Sequence, residues 1–352
     1  MTSDFRIGSR EIGRGKPVYV VAEISANHNQ NFDNAVRTIR AAKKAGADAV
    51  KLQTYTPDTI TLASDREEFR IEGGTLWDGR NLHDLYSEAY MPWEWQPRLK
   101  KIAEDLGLTF FSSAFDATAV DFLERLGVQV HKIASFELVD IPLIQKMART
   151  GKPLIISTGM AILEEIEEAV RSAREAGASQ VALLKCTSAY PSQPEEMNLA
   201  TIPEMEKRFQ LPVGLSDHSM EITVPVAAVA LGACIVEKHF TLSRSVPGPD
   251  ATFSLEPEEF RSMVDAVRTA EKALGTAVFG AGGKQAAERR YRRSLFAVED
   301  IQKGMQFTEF NVRSIRPGHG LHPRHFDELL RNRAAKDIKR GTPLSWELVV
   351  RS

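Results

Sequence analysis

The segment VGLSDHSMEITVPVAAVALGACIVEKHF, residues 213–240, decides the fold because it holds a complete strand–helix–strand unit. Each of its two apolar runs ends in polar residues, one at His218 and the other at His239. The Val- and Ala-rich residues 222–231 between them predict a helix with a buried face. Neighbouring parallel strands would bring both imidazoles to one mouth, so the two histidines are candidate metal ligands. Their separation fits no compact zinc motif, however, and polar residues that merely end two strands are the alternative.

The same unit recurs along the chain. Glycine repeatedly ends a helical pattern just before the next strand, as at Gly46, Gly107 and Gly232, which is typical of left-handed helix caps. Eight such strand–helix units predict a (β/α)8 TIM barrel over residues 1–280, an α/β fold. An open doubly wound sheet is the alternative, but no glycine-rich dinucleotide fingerprint follows the first strand. The predicted strands are residues 18–23, 49–53, 108–112, 130–135, 154–158, 181–186, 213–216 and 234–239.

Composition narrows the class of protein. The chain has 352 residues, is 43% hydrophobic and 26% charged, and carries a net charge of −2, so it can bury a large core and has no basic excess for nucleic acid. The first six residues lack the pattern of a secretory signal, which predicts a cytoplasmic protein. The longest apolar run, residues 222–236, is too short and too broken by Pro225 and Gly232 to cross a membrane. Cys186 and Cys234 are expected to be free thiols without a catalytic role.

Two segments interrupt the repeat. Residues 54–90 form an insertion after the second strand, on the side of a barrel where active sites lie. Residues 281–293 form a polar linker, which leads to a small β-rich module at 294–352. The basic cluster at 288–293 is interpreted as a solvated hinge, with a nucleic-acid patch as the alternative.

Polar side chains recur where the predicted strands end. Lysines and serines that converge on one mouth suit a small phosphorylated anion, because they supply point cations and hydroxyl donors. Metal-binding histidines beside such a site suggest Mn²⁺ or Mg²⁺ as a Lewis acid. The residues in question are Glu23, Lys51, Gln53, Lys132, Ser135, Ser157, Ser188, Ser216, His218, Glu237 and His239.

At these residues the chain resembles the sialic acid (nonulosonic acid) synthase family. The tail resembles the antifreeze-like (SAF) domain that these enzymes carry, at SLFA (294–297) and RSIRPG (313–318). The resemblance implies a metal-dependent condensation of phosphoenolpyruvate with an N-acetylated amino sugar and water, which gives a nonulosonic acid and phosphate. The barrel motifs that carry the resemblance are AEISANH (22–28), VKLQT (50–54), HKIAS (131–135), ISTGM (156–160), CTSAYP (186–191) and GLSDH (214–218).

The resemblance also implies roles for individual residues. His218 and His239 would bind the metal and act in catalysis. Glu23 closes the first strand, and on that position we expect it to steer protons or water near C2 of phosphoenolpyruvate, with a salt bridge to a mouth lysine as its alternative role. Ser188 stands where many relatives have Asn, and Ser113 where a Thr is familiar. The implied phosphoenolpyruvate ligands are Lys51, Ser113, Lys132, Ser135, Ser157, Ser188 and Ser216, and the implied sugar ligands are Gln53, Tyr190, Glu237, Asp250 and Arg316.

Two further expectations concern the sugar and the assembly. The insertion, with GTLWDGR (74–80), DLYSEAY (84–90) and PWEW (92–95), resembles the pseudaminate branch of the family more than the neuraminate or legionaminate branches. Its aromatic residues would favour 2,4-diacetamido-2,4,6-trideoxy-L-altrose, although each Trp could instead only pack the insertion onto the barrel. The resemblance also implies a homodimer in which each tail covers the other subunit's mouth, and the small tail with its long polar linker suits that arrangement.

Two other classes of protein remain as alternatives. A barrel aldolase or lyase would form a Schiff base at Lys51 or Lys132. The tail alone could mark an ice- or carbohydrate-binding protein, but its many Arg and Lys residues are unlike a flat repetitive binding face.

Overall fold

The computed structural model describes residues 5–280 and 282–350. Two of the sequence predictions fall partly outside this range. The expected lack of a secretory signal rests mainly on residues 1–4, and Ala281 is the first residue of the predicted linker. The chain divides into two compact units, Met1–Gly275 and Thr276–Ser352. The division therefore comes a few residues before the predicted linker.

Within the described residues of the first unit, eight parallel strands form a closed barrel. The last strand pairs with the first, with His239 opposite Glu23, and closes the sheet. Every predicted strand is present with shifts of one or two residues at its ends, so the predicted (β/α)8 barrel is confirmed. The barrel strands are Tyr19–Glu23, Ala49–Thr54, Thr109–Ala114, His131–Ile133, Leu154–Ser157, Val181–Cys186, Val213–Asp217 and Ile235–His239.

Local sequence sets where the surrounding helices begin and end. In the first helix, the Asn31 side chain accepts a hydrogen bond from Asn34 N at 3.0 Å, which satisfies an otherwise unpaired amide at the N-terminus. Gly46 ends that helix with a φ of 95°, a conformation that glycine adopts without strain. The helices that follow successive strands are Phe32–Lys44, Gln96–Asp105, Ala117–Leu126, Ile141–Ala148, Leu163–Glu175, Thr201–Phe209, Thr223–Ala230 and Pro257–Leu274.

A short hairpin near the N-terminus was not predicted from the sequence. Phe5–Ile7 pairs antiparallel with Arg10–Ile12. Its apolar side chains belong to the same buried cluster as Tyr19 and Ile235, which face the barrel interior. The hairpin therefore closes the end of the barrel opposite the mouth. Strands of three residues are too short to show a hydrophobic period, so no pattern in the sequence predicts this hairpin.

The insertion after the second strand contains two short helices, Pro57–Ile60 and Leu82–Ala89. Between them, residues 71–80 form a tight lobe in which Ile71 N donates to Arg80 O at 2.9 Å and Gly79 N donates to Ile71 O at 2.8 Å. The lobe is therefore a structured loop with its own backbone hydrogen bonds.

The second unit is a small β-rich module. Ser294–Ala297 pairs antiparallel with Val312–Ile315, and Arg333–Ala334 pairs with Val349–Val350. Its own apolar core includes Leu295, Ile301, Phe307, Val312, Leu329, Ile338 and Leu344.

The predicted linker is not irregular throughout. Gly283–Glu288 is helical, and the carbonyl of Arg290 accepts a hydrogen bond from Gly318 N at 2.8 Å. Residues 282–293 are exposed to solvent. The part of the linker nearest the module is thus attached to it.

Candidate active site

The barrel interior is built in layers because alternate residues of a strand share a face. Apolar side chains such as Tyr19, Val21 and Phe111 fill the lower layers. At the carboxyl ends of the strands the same inward face changes to polar residues. Register places Glu23 beside Lys51 and Ser113 beside Lys132. The inward-facing polar residues predicted from the sequence are therefore neighbours around one mouth.

Lys51 is the centre of a buried ionic cluster. Its Nζ lies 3.0 Å from Glu23 Oε2 and 3.2 Å from Glu237 Oε1, and it donates to Ser113 Oγ at 3.2 Å. Burial opposes the charge on Lys51, but the two carboxylates outweigh burial and raise its pKa. The salt bridge that the sequence allowed for Glu23 is thus present.

The two carboxylates beside Lys51 are inequivalent. Burial raises the pKa of Glu23. Burial also acts to raise the pKa of Glu237, but Lys51 and Lys132 outweigh it and lower that pKa. When two close carboxylates compete for one cation, the proton stays on the one that is less well stabilised. Glu23 is therefore the carboxylate that takes up a proton more readily, while Glu237 stays ionised.

Lys132 supplies a second cation deeper in the mouth. Its Nζ donates to Ser157 Oγ at 2.7 Å and to the carbonyl of Ile133 at 2.8 Å. Burial lowers its pKa to about 8. A phosphate or carboxylate group bound here would favour the charged form, since an opposite charge replaces the lost hydration.

Gly159 allows two of the predicted anion-binding serines to approach each other. A Cβ at this position would lie 2.4 Å from Ser135 Cβ and 2.5 Å from Ser188 Oγ. Both hydroxyls therefore lie beside the backbone that follows the fifth strand. Ser216 is on the seventh strand, opposite Cys186 in the register, and its hydroxyl donates to Glu237 Oε1 at 3.3 Å. The serines thus line the same mouth as the two lysines.

The two candidate metal ligands have free ring nitrogens. His218 Nδ1 donates to the carbonyl of Thr187 at 2.9 Å, which leaves its Nε2 available. The His239 Nδ1 atom is buried and has no hydrogen-bond partner. Burial lowers the pKa of His239 well below its usual value, so this ring is neutral. The ring centroids are 5.2 Å apart, and each ring offers one nitrogen that could bind a divalent cation.

Among the described residues, few other side chains could join His218 and His239 in binding a metal. In residues 5–280 and 282–350, no group of three or more His, Cys, Asp or Glu side chains has the arrangement of a metal site. A cation at the two histidines would need oxygen ligands from water or substrate. That is the open coordination typical of catalytic metal sites rather than structural ones.

Aromatic rings pack beside the two histidines and form one wall of the mouth. The Tyr190 ring is 4.4 Å from His218, and the Phe253 ring is 4.9 Å from His239. Trp77 of the insertion lies 5.8 Å from Tyr190. The predicted sugar ligand Tyr190 is therefore beside the candidate metal site, and one Trp of the insertion extends the same wall.

The other two Trp residues of the insertion region pack away from this wall. Trp93 Nε1 donates to the carbonyl of Tyr55 at 3.0 Å, and its ring lies 4.9 Å from Phe122. Trp95 contacts His28 and Phe32. For Trp93 and Trp95 the contacts are those of the packing interpretation.

Asp250 and Gln53 are in the barrel unit, but Arg316 is not. Asp250 is held by Ser25 Oγ and by Ala26 N, the latter at 3.1 Å, and burial raises its pKa. Gln53 is half-buried and lies opposite Ser113 in the register. Arg316 belongs to the C-terminal unit, where it is exposed. It lines a cavity of about 610 Å³ with Tyr291, Arg292, Arg293 and His322.

Two residues near the mouth were not predicted as part of the site. Glu137, in the helical turn Ser135–Val139, is half-buried, and its shielded Oε2 has no hydrogen-bond partner. Burial raises its pKa to about 7. Cys186 lies inward, with Sγ 3.9 Å from His218 Nδ1 and 3.8 Å from Ser188 Oγ. Cys186 is two residues after Leu184 on the same strand, so both side chains face the barrel interior. That spacing could have predicted Cys186 as a residue of the mouth. Glu137 follows the strand in a turn and gave no such signal.

No helix among the described residues is long and apolar enough to cross a membrane.

Comparison with known proteins identifies the family of the chain. The NeuB family model matches residues 38–279, and the SAF domain model matches residues 292–350. The pseudaminic acid synthase of Campylobacter jejuni is 47% identical over 94% of this chain and 96% of its own length. The pseudaminic acid synthase of Helicobacter pylori is 44% identical over 96% of this chain and 99% of its own length.

More distant relatives share the same architecture. The N,N'-diacetyllegionaminic acid synthase of Legionella pneumophila is 35% identical over 97% of each chain. The crystal structure of an N-acetylneuraminic acid synthetase from Leptospira borgpetersenii, in complex with citrate, superposes with a TM-score of 0.73 at 30% identity. It covers 82% of this chain and 95% of its own.

Proposed function

Because this chain belongs to the NeuB family and ends in a SAF domain, we propose that it condenses phosphoenolpyruvate with 2,4-diacetamido-2,4,6-trideoxy-L-altrose and water to give pseudaminic acid and phosphate. One observation carries the choice of sugar. The pseudaminic acid synthases are 44% and 47% identical over nearly the whole chain, whereas the legionaminic acid synthase is 35% identical. N-acetylneuraminate and legionaminate synthesis are the alternatives.

The polar residues of the mouth suit phosphoenolpyruvate. Lys51 and Lys132 supply two buried cations, and the serines at 113, 135, 157, 188 and 216 supply hydroxyl donors. Phosphate leaves in this reaction by cleavage of its C–O bond. The two lysines stabilise the charge that develops on the departing phosphate because they lie in a site from which water is excluded.

The carboxylates are suited to the movement of protons. The new bond joins C3 of phosphoenolpyruvate to the aldehyde carbon C1 of the open-chain sugar, and the aldehyde oxygen takes up a proton. Water then adds at C2 and loses one proton. The C2–O bond to phosphate breaks as the ketone forms, and the second proton of that water passes to the departing phosphate. Glu23 is the residue for these transfers because burial raises the pKa of its carboxyl, so that it can both donate and accept a proton beside Lys51.

His218 and His239 would hold the divalent cation, Mn²⁺ or Mg²⁺. When bound, it would supply Lewis-acid polarisation of the sugar aldehyde. Tyr190, Gln53 and Asp250 would orient the sugar from the neighbouring loops. Glu237, held ionised by Lys51, would accept hydrogen bonds from sugar hydroxyls.

The proposal also includes a homodimer and a cytoplasmic location. Arg316 is exposed on the small C-terminal unit, and a homodimer with exchanged tails would let it reach the sugar of the other subunit. Mixing Arg316→Ala chains with His239→Ala chains should then restore activity in heterodimers. No recovery after verified subunit exchange would contradict the exchange. We place the enzyme in the cytoplasm, where phosphoenolpyruvate is made.

Two assays test the reaction class. Phosphate release should require phosphoenolpyruvate, the diacetamido sugar and a divalent cation together. Borohydride added during turnover should leave the protein mass unchanged. A substrate adduct on Lys51 or Lys132 would instead support the Schiff-base aldolase and overturn the proposal.

A further inference from the structure

We propose that Trp77 is a specificity-determining residue, whose indole ring forms the apolar wall against the 6-methyl and 4-acetamido groups of the sugar. This inference rests on the proposed function, since those are the groups that distinguish the diacetamido sugar from N-acetylmannosamine. It singles out Trp77 from the three Trp residues of the insertion region.

The lobe that carries Trp77 is held in a fixed conformation. Asp78 accepts hydrogen bonds from Gly74 N at 2.7 Å and from Thr75 N at 2.8 Å. The Thr75 hydroxyl also donates to Asp78, at 2.7 Å. These bonds add to the backbone bonds between Ile71 and Arg80. A side chain on such a loop can form a preformed wall at little entropic cost.

Trp77 is one aromatic ring away from both candidate metal ligands. Its ring lies 5.8 Å from Tyr190 and 6.3 Å from Phe253. Those two rings contact His218 and His239, at 4.4 Å and 4.9 Å. If the aldehyde end of the sugar is at the histidines, the wall extends along the sugar towards its other end. C4 and C6, with the acetamido and methyl groups, are at that end.

The one polar atom of the indole ring, Nε1, already has a hydrogen-bond partner. Trp77 Nε1 donates to the carbonyl of Pro249 at 3.2 Å, in the residue just before Asp250. The half-buried ring therefore presents only carbon to the mouth. A hydroxyl placed against it would lose hydration without gaining a partner, whereas the 6-methyl group and the methyl end of the acetamido group have no hydrogen bonds to lose. This asymmetry is what discriminates between the two sugars.

The test compares Trp77→Ala and Trp77→Phe with wild type. The measurements are kcat and KM for the diacetamido sugar, KM for phosphoenolpyruvate, and kcat/KM for N-acetylmannosamine. Trp77→Ala should lower kcat/KM for the diacetamido sugar about tenfold or more, mainly through KM, because one buried apolar group is worth about 10- to 200-fold. KM for phosphoenolpyruvate should stay unchanged. The preference for the diacetamido sugar should fall by the same factor.

The second variant separates the ring from its hydrogen bond. Trp77→Phe keeps an apolar ring but cannot donate a hydrogen bond to Pro249. If the ring sets the choice of sugar, this variant should retain most of the preference for the diacetamido sugar. Leu76→Ala is the matched control, since Leu76 is an exposed apolar neighbour in the same lobe, and it should behave as wild type. Thermal melts establish that each variant is folded.

Three outcomes would overturn the inference. Equal losses with both sugars in Trp77→Ala would mean that the ring only packs the insertion. A loss in Trp77→Phe as large as in Trp77→Ala would mean that the hydrogen bond to Pro249 is what counts. Wild-type enzyme that is inactive with the diacetamido sugar but active with N-acetylmannosamine would contradict the proposed function, and the inference with it.

Discussion

Replacement of Lys238 by Met should destabilise the barrel by several kcal/mol. Lys238 and Asp217 are on the outward side of the last two strands, and both side chains are 0% exposed, with Nζ and Oδ2 2.6 Å apart. The ammonium group also donates to the carbonyl of Ser219. In Lys238→Met the Asp217 carboxylate stays buried and keeps only the bond from Ser219 N, 2.8 Å from Oδ1.

The size of the effect follows from this burial. Removing one partner of a buried, hydrogen-bonded ion pair costs about 3–5 kcal/mol, because the other charge loses its compensation. Asp217→Asn in the Lys238→Met background removes the stranded charge and should recover part of that loss. A double-mutant cycle should therefore give a coupling energy of more than about 1 kcal/mol.

The assay is urea unfolding followed by tryptophan fluorescence. The control is Lys101→Met, which makes the same chemical change in an exposed pair. Lys101 and Asp105 are 3.0 Å apart, with side chains 76% and 62% exposed, and loss of that pair should cost less than about 0.5 kcal/mol.

The same pair should affect the site, because Asp217 and Lys238 immediately precede His218 and His239 in the chain. Folded Lys238→Met protein should bind Mn²⁺ more weakly by calorimetry than the Lys101→Met control. If Lys238→Met lost less than about 1 kcal/mol of stability, or if the two substitutions had additive effects, the buried pair would not be what holds the ends of these two strands.

Three further predictions concern the chemistry of the mouth. Because burial lowers the pKa of Lys132 to about 8, its ammonium is lost above that pH; kcat/KM for phosphoenolpyruvate should decline there, and a profile flat to pH 10 would contradict this. Glu23→Gln should lower kcat by about 100-fold or more while phosphoenolpyruvate still binds, and full turnover would remove Glu23 from the chemistry. Chelation should abolish activity and Mn²⁺ or Mg²⁺ should restore it, whereas His218→Ala and His239→Ala should lose Mn²⁺ binding in calorimetry; activity retained by both variants would exclude them as ligands.

The sequence predicted the barrel because the hydrophobic pattern of the strands and the helix-ending glycines agree in most units, although the helix Thr201–Phe209 ends at Gln210. Inward-facing residues such as Glu23 and Lys51 could be predicted because a strand has a strict period of two, and their positions follow once the register is known. The contacts between them, such as the sharing of Lys51 by Glu23 and Glu237, depend on side chains from strands far apart in the chain. Those contacts decide which carboxylate takes up a proton more readily.

What the sequence missed has the same cause. Glu137 follows its strand in a turn, where no period applies, and the hairpin at Phe5–Ile7 is too short to show one. Among the three Trp residues of the insertion region, only three-dimensional contacts distinguish Trp77, which lies beside Tyr190, from Trp93 and Trp95, which pack elsewhere.

The most direct test of the central claim is a comparison of sugars. Phosphate release from phosphoenolpyruvate is measured with 2,4-diacetamido-2,4,6-trideoxy-L-altrose and with N-acetylmannosamine under the same conditions, and the product masses are determined. We expect kcat/KM to be at least about tenfold higher for the diacetamido sugar, with a product of the mass of pseudaminic acid. Comparable kcat/KM values for the two sugars would contradict the assignment.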